Sequence, residues 1–186
     1  MSGLPHLSEL ARVAAHSADS LAAPVAKYAD LVRACLKSGG KLMYAGNGGS
    51  AAHAQHIATE YVIRYQPVQR RAVAAMALST DSSLLTAGGN DLGFEQIFSR
   101  QVEALGRAGD LLVLVSTSGN SANLLRAAEK ARERGLLIVG LLARDGGKLA
   151  KLVDLPIIVP TNDGAVAQEV HLAIDHHVCS VIEAEL

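Results

Sequence analysis

At 186 residues the chain is sized for one domain with a substantial core, and at 49% hydrophobic residues it is too apolar for an intrinsically disordered protein. A net charge of −1 removes the electrostatic case for nucleic acid or an anionic membrane, and two Phe, four Tyr and no Trp leave little for base stacking. No apolar run approaches the roughly 20 residues of a membrane span, and the first twenty residues lack the basic start and apolar core of a signal peptide, so a cytoplasmic location is expected.

In chain order, residues from about Leu7 to Lys37 keep the spacing of one or two helices. Pro24 is expected to open the second, and Ser38-Gly39-Gly40 to stop it. Cys35, in this stretch, and Cys179, near the end of the chain, read as buried thiols of a reducing compartment. Five short apolar runs follow: Lys41–Ala45, Val73–Leu78, Leu111–Ser116, Leu136–Leu142 and Leu155–Val159. Each is too short for a helix, and continuous apolar runs suit strands buried on both faces of a parallel sheet. Helical patterns separate them at Ser50–Tyr65, Ser82–Ala87, Gly93–Leu105, Ser121–Arg134, a short piece at Lys148–Leu152, and finally Ala165–Glu185. Gly88-Gly89-Asn90 and Gly106–Gly109 read as punctuation. Strand alternating with helix predicts an α/β fold: a doubly wound, five-stranded parallel sheet flanked by helices in three layers. One domain is expected over residues 1–186, with a helical segment at 1–38 and an α/β core at 41–186.

In such a fold ligands bind beyond the carboxyl ends of the strands. Two of the loops there carry chemistry. Ser116-Thr117-Ser118-Gly119-Asn120-Ser121 places four hydroxyls around a glycine between a strand and a helix, an anion cradle at a helix N-terminus. It has no lysine, unlike a nucleotide P-loop, so a phosphate held there is a handle and not a group being transferred. Gly46-Asn47-Gly48-Gly49-Ser50 lacks the dinucleotide glycine pattern; its glycines admit a close ligand, and Asn47 can bond sugar hydroxyls.

His56 and Glu60 lie four apart on one helix face and suit either a metal or acid–base work. His53, one turn earlier, reads as rim or surface. The last helix carries Gln168, His171, Asp175, His176 and His177. Gln168 and His176 are separated by roughly 12 Å along the axis, so sharing one ion demands leaning side chains or two subunits. His171 and His177 read as packing or surface, and Asp175 either orients a histidine or is solvated.

These stretches together resemble the phosphoheptose isomerase family of sugar isomerase (SIS) domain proteins. The residues that carry the resemblance are GNGGSAAHAQHIATE at Gly46–Glu60, GNDLGFEQIFSRQVEALGRAGD at Gly89–Asp110, STSGNSAN at Ser116–Asn123, DGGKLA at Asp145–Ala150 and AQEVHLAIDH at Ala167–His176. The resemblance runs from about Leu21 to the end. It implies interconversion of sedoheptulose 7-phosphate and D-glycero-D-manno-heptose 7-phosphate through an enediol, in heptose precursor biosynthesis. Ser116, Thr117, Ser118 and Ser121 would bind the phosphate. Asn47, Gly48, Gly49, Ser50, Asn90 and Asp91 would place the sugar chain, and Gln168 would also meet substrate. Glu60 and His176 would be the acid–base pair. His56, Glu60, Gln168 and His176 would hold one zinc per subunit. The resemblance also implies a homotetramer, with N-terminal helices used in assembly and sites at subunit contacts, and no nucleic-acid or membrane partner.

The chain departs from the family pattern in places. His53 stands where an aspartate is common, Gly164 where a threonine is common, Val166-Ala167 replace a basic residue and isoleucine, and Tyr65–Asp81 lacks the usual Arg-Pro-x-Leu-Pro run. These positions bear on substrate choice and metal affinity, and His53 is a further possible ligand. The alternatives are an isomerase for another ketose phosphate or a non-catalytic SIS adaptor of the replication initiator. The retained Glu60 and His176 favour an enzyme. A sugar-phosphate-sensing regulator would need a DNA-binding domain, for which the residues before the match are too few.

Overall fold

The computed structural model describes residues 4–186; the first three residues of the expected N-terminal segment lie outside them. Two helices open the chain, α1 (Pro5–Ser20) and α2 (Ala22–Lys37). Pro5 takes the first position of α1, where its missing N–H has no intrahelical partner to lose. Pro24 does not open α2 as expected. The helix starts at Ala22, which still leaves the proline in the first turn, among the N–H groups that have no partner.

The core is a five-stranded, wholly parallel sheet of β1 (Leu42–Gly46), β2 (Ala75–Ala77), β3 (Leu111–Ser116), β4 (Leu137–Ala143) and β5 (Leu155–Val159), in the order β2-β1-β3-β4-β5. All five expected runs form strands. The edge strand β2 is half its expected length, because Val73 donates its N–H to the Tyr61 carbonyl instead of continuing the ladder. Five helices accompany the sheet: α3 (Gly49–Val62), α4 (Ser82–Asp91), α5 (Ile97–Leu105), α6 (Ala122–Glu133) and α7 (Gly164–Glu183). The piece expected at Lys148–Leu152 is a 3-10 turn at Leu149–Lys151, and another at Phe94–Gln96 precedes α5, shortening the helix expected from Gly93.

Alternation along the strands builds the three layers. Leu42, Tyr44, Val113, Leu141 and Ile157 face Tyr28, Ile57, Val166, Val170 and Val178 on one side of the sheet. Met43, Ala45, Leu112, Leu114 and Ile138 face Ile97, Phe98, Leu124 and Ala128 on the other. Helix α4 runs through Gly88-Gly89, which sequence reading took for a break. Asp81 caps its start by accepting from the Leu84 N–H, and Gly88 lies against Ile97, so tertiary contact overrides low helix propensity. Both cysteines are buried and unpaired, as expected, and burial pushes the Cys35 thiol up to about 11. Among the described residues no helix is long and apolar enough to cross a membrane.

Candidate functional site

The strand order reverses between β1 and β3, which are hydrogen-bonded neighbours. The chain leaves β1 for α3 on one side of the sheet and leaves β3 for α6 on the other. That divergence opens a crevice at the carboxyl ends of the two strands, the place where open parallel sheets bind ligands. Both loops singled out from sequence border it.

The loop after β3 is held by its own hydroxyls. Ser116, buried, accepts from the Gly119 N–H at 3.0 Å, and Ser118 accepts from the Asn120 N–H at 3.2 Å. Ser121 precedes α6 but makes no side-chain capping bond, so its hydroxyl remains free for a ligand at the helix N-terminus. Gly119 has φ +62, and a Cβ there would lie 2.0 Å from the Gly146 carbonyl oxygen. The turn at Asp145–Lys148 therefore braces the loop at backbone contact. Two further bonds complete the brace: Leu149 N–H donates to the Gly119 carbonyl at 2.9 Å, and Lys148 N–H to Asn120 Oδ1 at 3.1 Å.

In the loop after β1, Gly48 has φ +55 and starts α3 without a side-chain cap. Asn47 does not simply offer its amide to a ligand. Asn47 and buried Asn123 exchange two carboxamide hydrogen bonds, each 2.9 Å, which tie this loop to the first turn of α6 across the crevice. Asn90 and Asp91 stand exposed at the end of α4, the amide of Asn90 donating to the Asp91 carboxylate at 2.7 Å.

His56 and Glu60 on α3 meet His176 on α7. His56 Nε2 lies 3.1 Å from His176 Nε2 and 3.2 Å from Glu60 Oε1. A ligand atom from each of the three residues lies within 4.8 Å of the other two. Atoms about 2.0–2.1 Å from a tetrahedral zinc are separated by roughly 3.3 Å, so this set of two imidazoles and a carboxylate fits that ion and leaves a coordination position open. Burial lowers the His176 pKa, the neighbouring His56 lowers it further, and Glu60 opposes both; the net shift favours the neutral imidazole that a metal needs. Gln168, on α7, also reaches toward α3. Its Oε1 lies against Gly49 at the start of α3, two turns above His56, where a Cβ on Gly49 would come within 2.2 Å of it.

His53 is not at the rim. It is buried, with Nε2 2.7 Å from Asp175 Oδ2, on the interior side of α3. Asp175 is fully buried and also accepts from the Tyr28 hydroxyl at 2.7 Å, so it is not solvated. His171 packs inside, donating from Nε2 to the Leu142 carbonyl at 2.8 Å, while His177 is exposed.

Sequence reading missed several residues. The Tyr65 ring packs on His176 with centroids 5.2 Å apart. Glu183 accepts from the N–H groups of Tyr65 and Gln66 and pairs with Arg70 at 2.7 Å, and Arg70 also donates to the carbonyls of Glu60 and Tyr61. Burial pushes the Glu183 carboxyl up, but the Arg70 guanidinium and the two N–H groups more than offset this and leave it below the usual range. The available signal was an acid in the apolar last turn of the final helix, seven residues beyond His176 and so on its face.

The SIS domain family profile matches residues 6–143. The phosphoheptose isomerase of Trichlorobacter lovleyi is 51% identical over 166 residues, 89% of this chain and 84% of that protein. That of Aliarcobacter butzleri is 44% identical over 183 residues, 98% and 94% of the two chains. The solved phosphoheptose isomerase of Neisseria gonorrhoeae superimposes with a TM-score of 0.91 at 43% identity, covering 97% of this chain and 96% of that one. With the crevice, the serine loop and the His56–Glu60–His176 cluster, these similarities establish that the chain belongs to the phosphoheptose isomerase family, sugar-phosphate isomerases built on the SIS domain.

Proposed function

We propose that this protein interconverts sedoheptulose 7-phosphate and D-glycero-D-manno-heptose 7-phosphate in the cytoplasm. The observation that carries the reading is the convergence of Glu60 and His176, from separate helices, on one partly exposed cluster in a chain 51% identical to a phosphoheptose isomerase. The same convergence weighs against a non-catalytic adaptor, which has no use for a carboxylate facing two imidazoles.

The phosphate binds the loop Ser116–Ser121 through the hydroxyls of Ser116, Thr117, Ser118 and Ser121 and the N-terminus of α6. The Thr117 hydroxyl lies near Gly164 at the start of α7. Asn47–Ser50, Asn90 and Asp91 place the sugar chain. Ketose–aldose exchange moves a proton between C1 and C2 through an enediol. Glu60 takes the proton from one carbon and returns it to the other, while His176 donates to and accepts from the carbonyl and hydroxyl oxygens as charge develops there. His56, Glu60 and His176 would hold one zinc, with Gln168 as the fourth ligand or a substrate contact. Zinc would supply Lewis-acid polarisation of the carbonyl.

The working form is a homotetramer. No residue of α4 is buried in the single chain, Leu84, Leu92 and Phe94 are exposed, and an apolar groove of about 430 Å³ lies between α1, α2 and α7, lined by Leu21, Val25 and Val170. A neighbouring subunit would cover these surfaces and bring Asn90, Asp91 and Gln168 into a shared site. The test is incubation of metal-defined protein with sedoheptulose 7-phosphate, the products being identified by NMR. Aldoheptose phosphate should form, and Glu60→Gln and His176→Ala should each lose at least a thousandfold in turnover with assembly unchanged. Near-full activity in either variant, or no product with or without zinc, overturns the reading.

A further inference from the structure

The His56–Glu60–His176 cluster spans two helices, so its geometry depends on how far α7 stands from α3. Behind it, on the buried side of the same helices, runs a chain of polar contacts. His53 lies one turn before His56 on α3, and Asp175 immediately precedes His176 on α7. His53 Nε2 donates to Asp175 Oδ2 at 2.7 Å, and Tyr28 on α2 donates to Asp175 Oδ1 at 2.7 Å. The Tyr28 and Tyr44 hydroxyls lie 2.9 Å apart, which carries the chain to β1. Every side chain in it is buried.

This arrangement is a poor choice for stability alone. His53 Nδ1 is buried without a hydrogen-bond partner, and buried polar pairs rarely outperform apolar packing of equal volume. What the pair does supply is direction and length. A 2.7 Å bond between α3 and α7 fixes their separation within one turn of the atoms that must meet. The second cross-link is made by Arg70, in the segment after α3, which pairs with Glu183 on α7 and donates to the Glu60 and Tyr61 carbonyls at the end of α3. Its presence means the helices stay docked when the first is removed, but the spacing at the cluster is then free to drift. A drift of about 1 Å takes His56 and His176 beyond the roughly 3.3 Å over which two nitrogens share one tetrahedral ion.

We propose that His53 and Asp175 are a positioning pair, whose buried hydrogen bond, anchored to the sheet through Tyr28 and Tyr44, sets the α3–α7 spacing at which His56, Glu60 and His176 act on one ligand. The proposal rests on the reading of that cluster as the zinc and acid–base site.

Zinc affinity, measured by competition with a chromophoric chelator, tests it separately from turnover. His53→Leu/Asp175→Leu removes both polar partners together, leaves Tyr28 bonded to Tyr44, and should unfold within a few degrees of the parent. Its zinc affinity should fall at least tenfold, the scale on which groups supporting metal ligands act. The transposed variant His53→Asp/Asp175→His restores the bond in reverse and should recover affinity to within about threefold. Tyr28→Phe, which keeps the ring and removes one anchor of Asp175, should lose affinity several-fold and remains informative if the leucine variant does not fold. Parent-like affinity in the double-leucine variant or in Tyr28→Phe overturns the proposal, as does a transposed variant no better than the double leucine. His56→Ala distinguishes the two failures. If it binds zinc as tightly as the parent, the zinc reading of the cluster is wrong; if it alone loses zinc, only the positioning role is wrong.

Discussion

Replacing Gly119 with alanine tests whether the loop after β3 is the built anion cradle its geometry indicates. The residue sits at φ +62, where a side chain costs about 1–2 kcal/mol in its own right. The new Cβ would stand 2.0 Å from the Gly146 carbonyl oxygen, roughly 1.4 Å short of ordinary contact. Both partners are backbone, so no side chain can swing aside, and the two loops must part. Parting them breaks the bond from Leu149 N–H to the Gly119 carbonyl and strains those from Gly119 N–H to Ser116 Oγ and from Lys148 N–H to Asn120 Oδ1. At about 1 kcal/mol each, with the backbone strain, the total is about 3–5 kcal/mol. Urea unfolding at fixed protein concentration should show that loss, with a fall in melting temperature of about 10 °C. The movement also displaces the hydroxyls proposed to bind the phosphate. Loss of one or two such charge-assisted bonds, at about 1.5–3 kcal/mol each, raises KM for the phosphorylated sugar by at least tenfold. A Gly119→Ala protein within 1 kcal/mol of the parent and unchanged in KM would falsify this account of the loop.

Three other perturbations follow from single contacts. His171 is buried neutral with its pKa lowered to about 4, by burial above all, against 6.5 in the unfolded chain; the unfolded state therefore binds the extra proton first, and the contribution is complete above pH 6.5 and lost as pH falls toward 4. At pH 5 that is about 2 kcal/mol, so between pH 7 and 5 the parent should lose about that much more stability than His171→Gln, and equal losses sink the assignment. Arg70→Met leaves Glu183 buried without its guanidinium and frees the carbonyls at the end of α3, which should cost about 3–5 kcal/mol in urea unfolding; a loss below 1 kcal/mol means the pair is not a brace. Gly49→Ala puts a methyl 2.2 Å from the tip of Gln168, a flexible group that can turn away. Stability should stay within about 1 kcal/mol, while turnover falls to match Gln168→Ala, and parent-like turnover would separate Gln168 from the chemistry.

The sheet was legible because strands buried on both faces read as continuous apolar runs, and nothing else in the chain imitates them. Leu111–Ser116 and Leu155–Val159 match expectation residue for residue. The expected strand at Val73–Leu78 shrank because apolar character does not say where an edge strand stops pairing; the Tyr61 carbonyl, on another element, decides that. Gly88-Gly89 misled for a related reason. Propensity argues for a break, and the contact with Ile97 that sustains the helix is not a local property.

The site was legible in its residue types but not in their orientation. His53, His56 and Glu60 follow a helical stripe at spacings of three and four, and sequence alone cannot say which edge of that stripe faces the core. The partner helix decides. Asp175 draws His53 inward at one height, and His176 meets His56 and Glu60 at the next. Neighbouring residues on each helix thus divide between a buried cross-link and an open cluster. The same division explains why Asn123, Tyr65, Arg70 and Glu183 went unseen. Each acts through a partner far along the chain, Asn123 on Asn47 and Glu183 on Arg70, and each looks ordinary within its own segment. A motif names the groups that can do chemistry. The groups that fix their distances have to be found in contacts between elements far apart in sequence: His53 with Asp175 between α3 and α7, and Asn47 with Asn123 between the loop after β1 and α6.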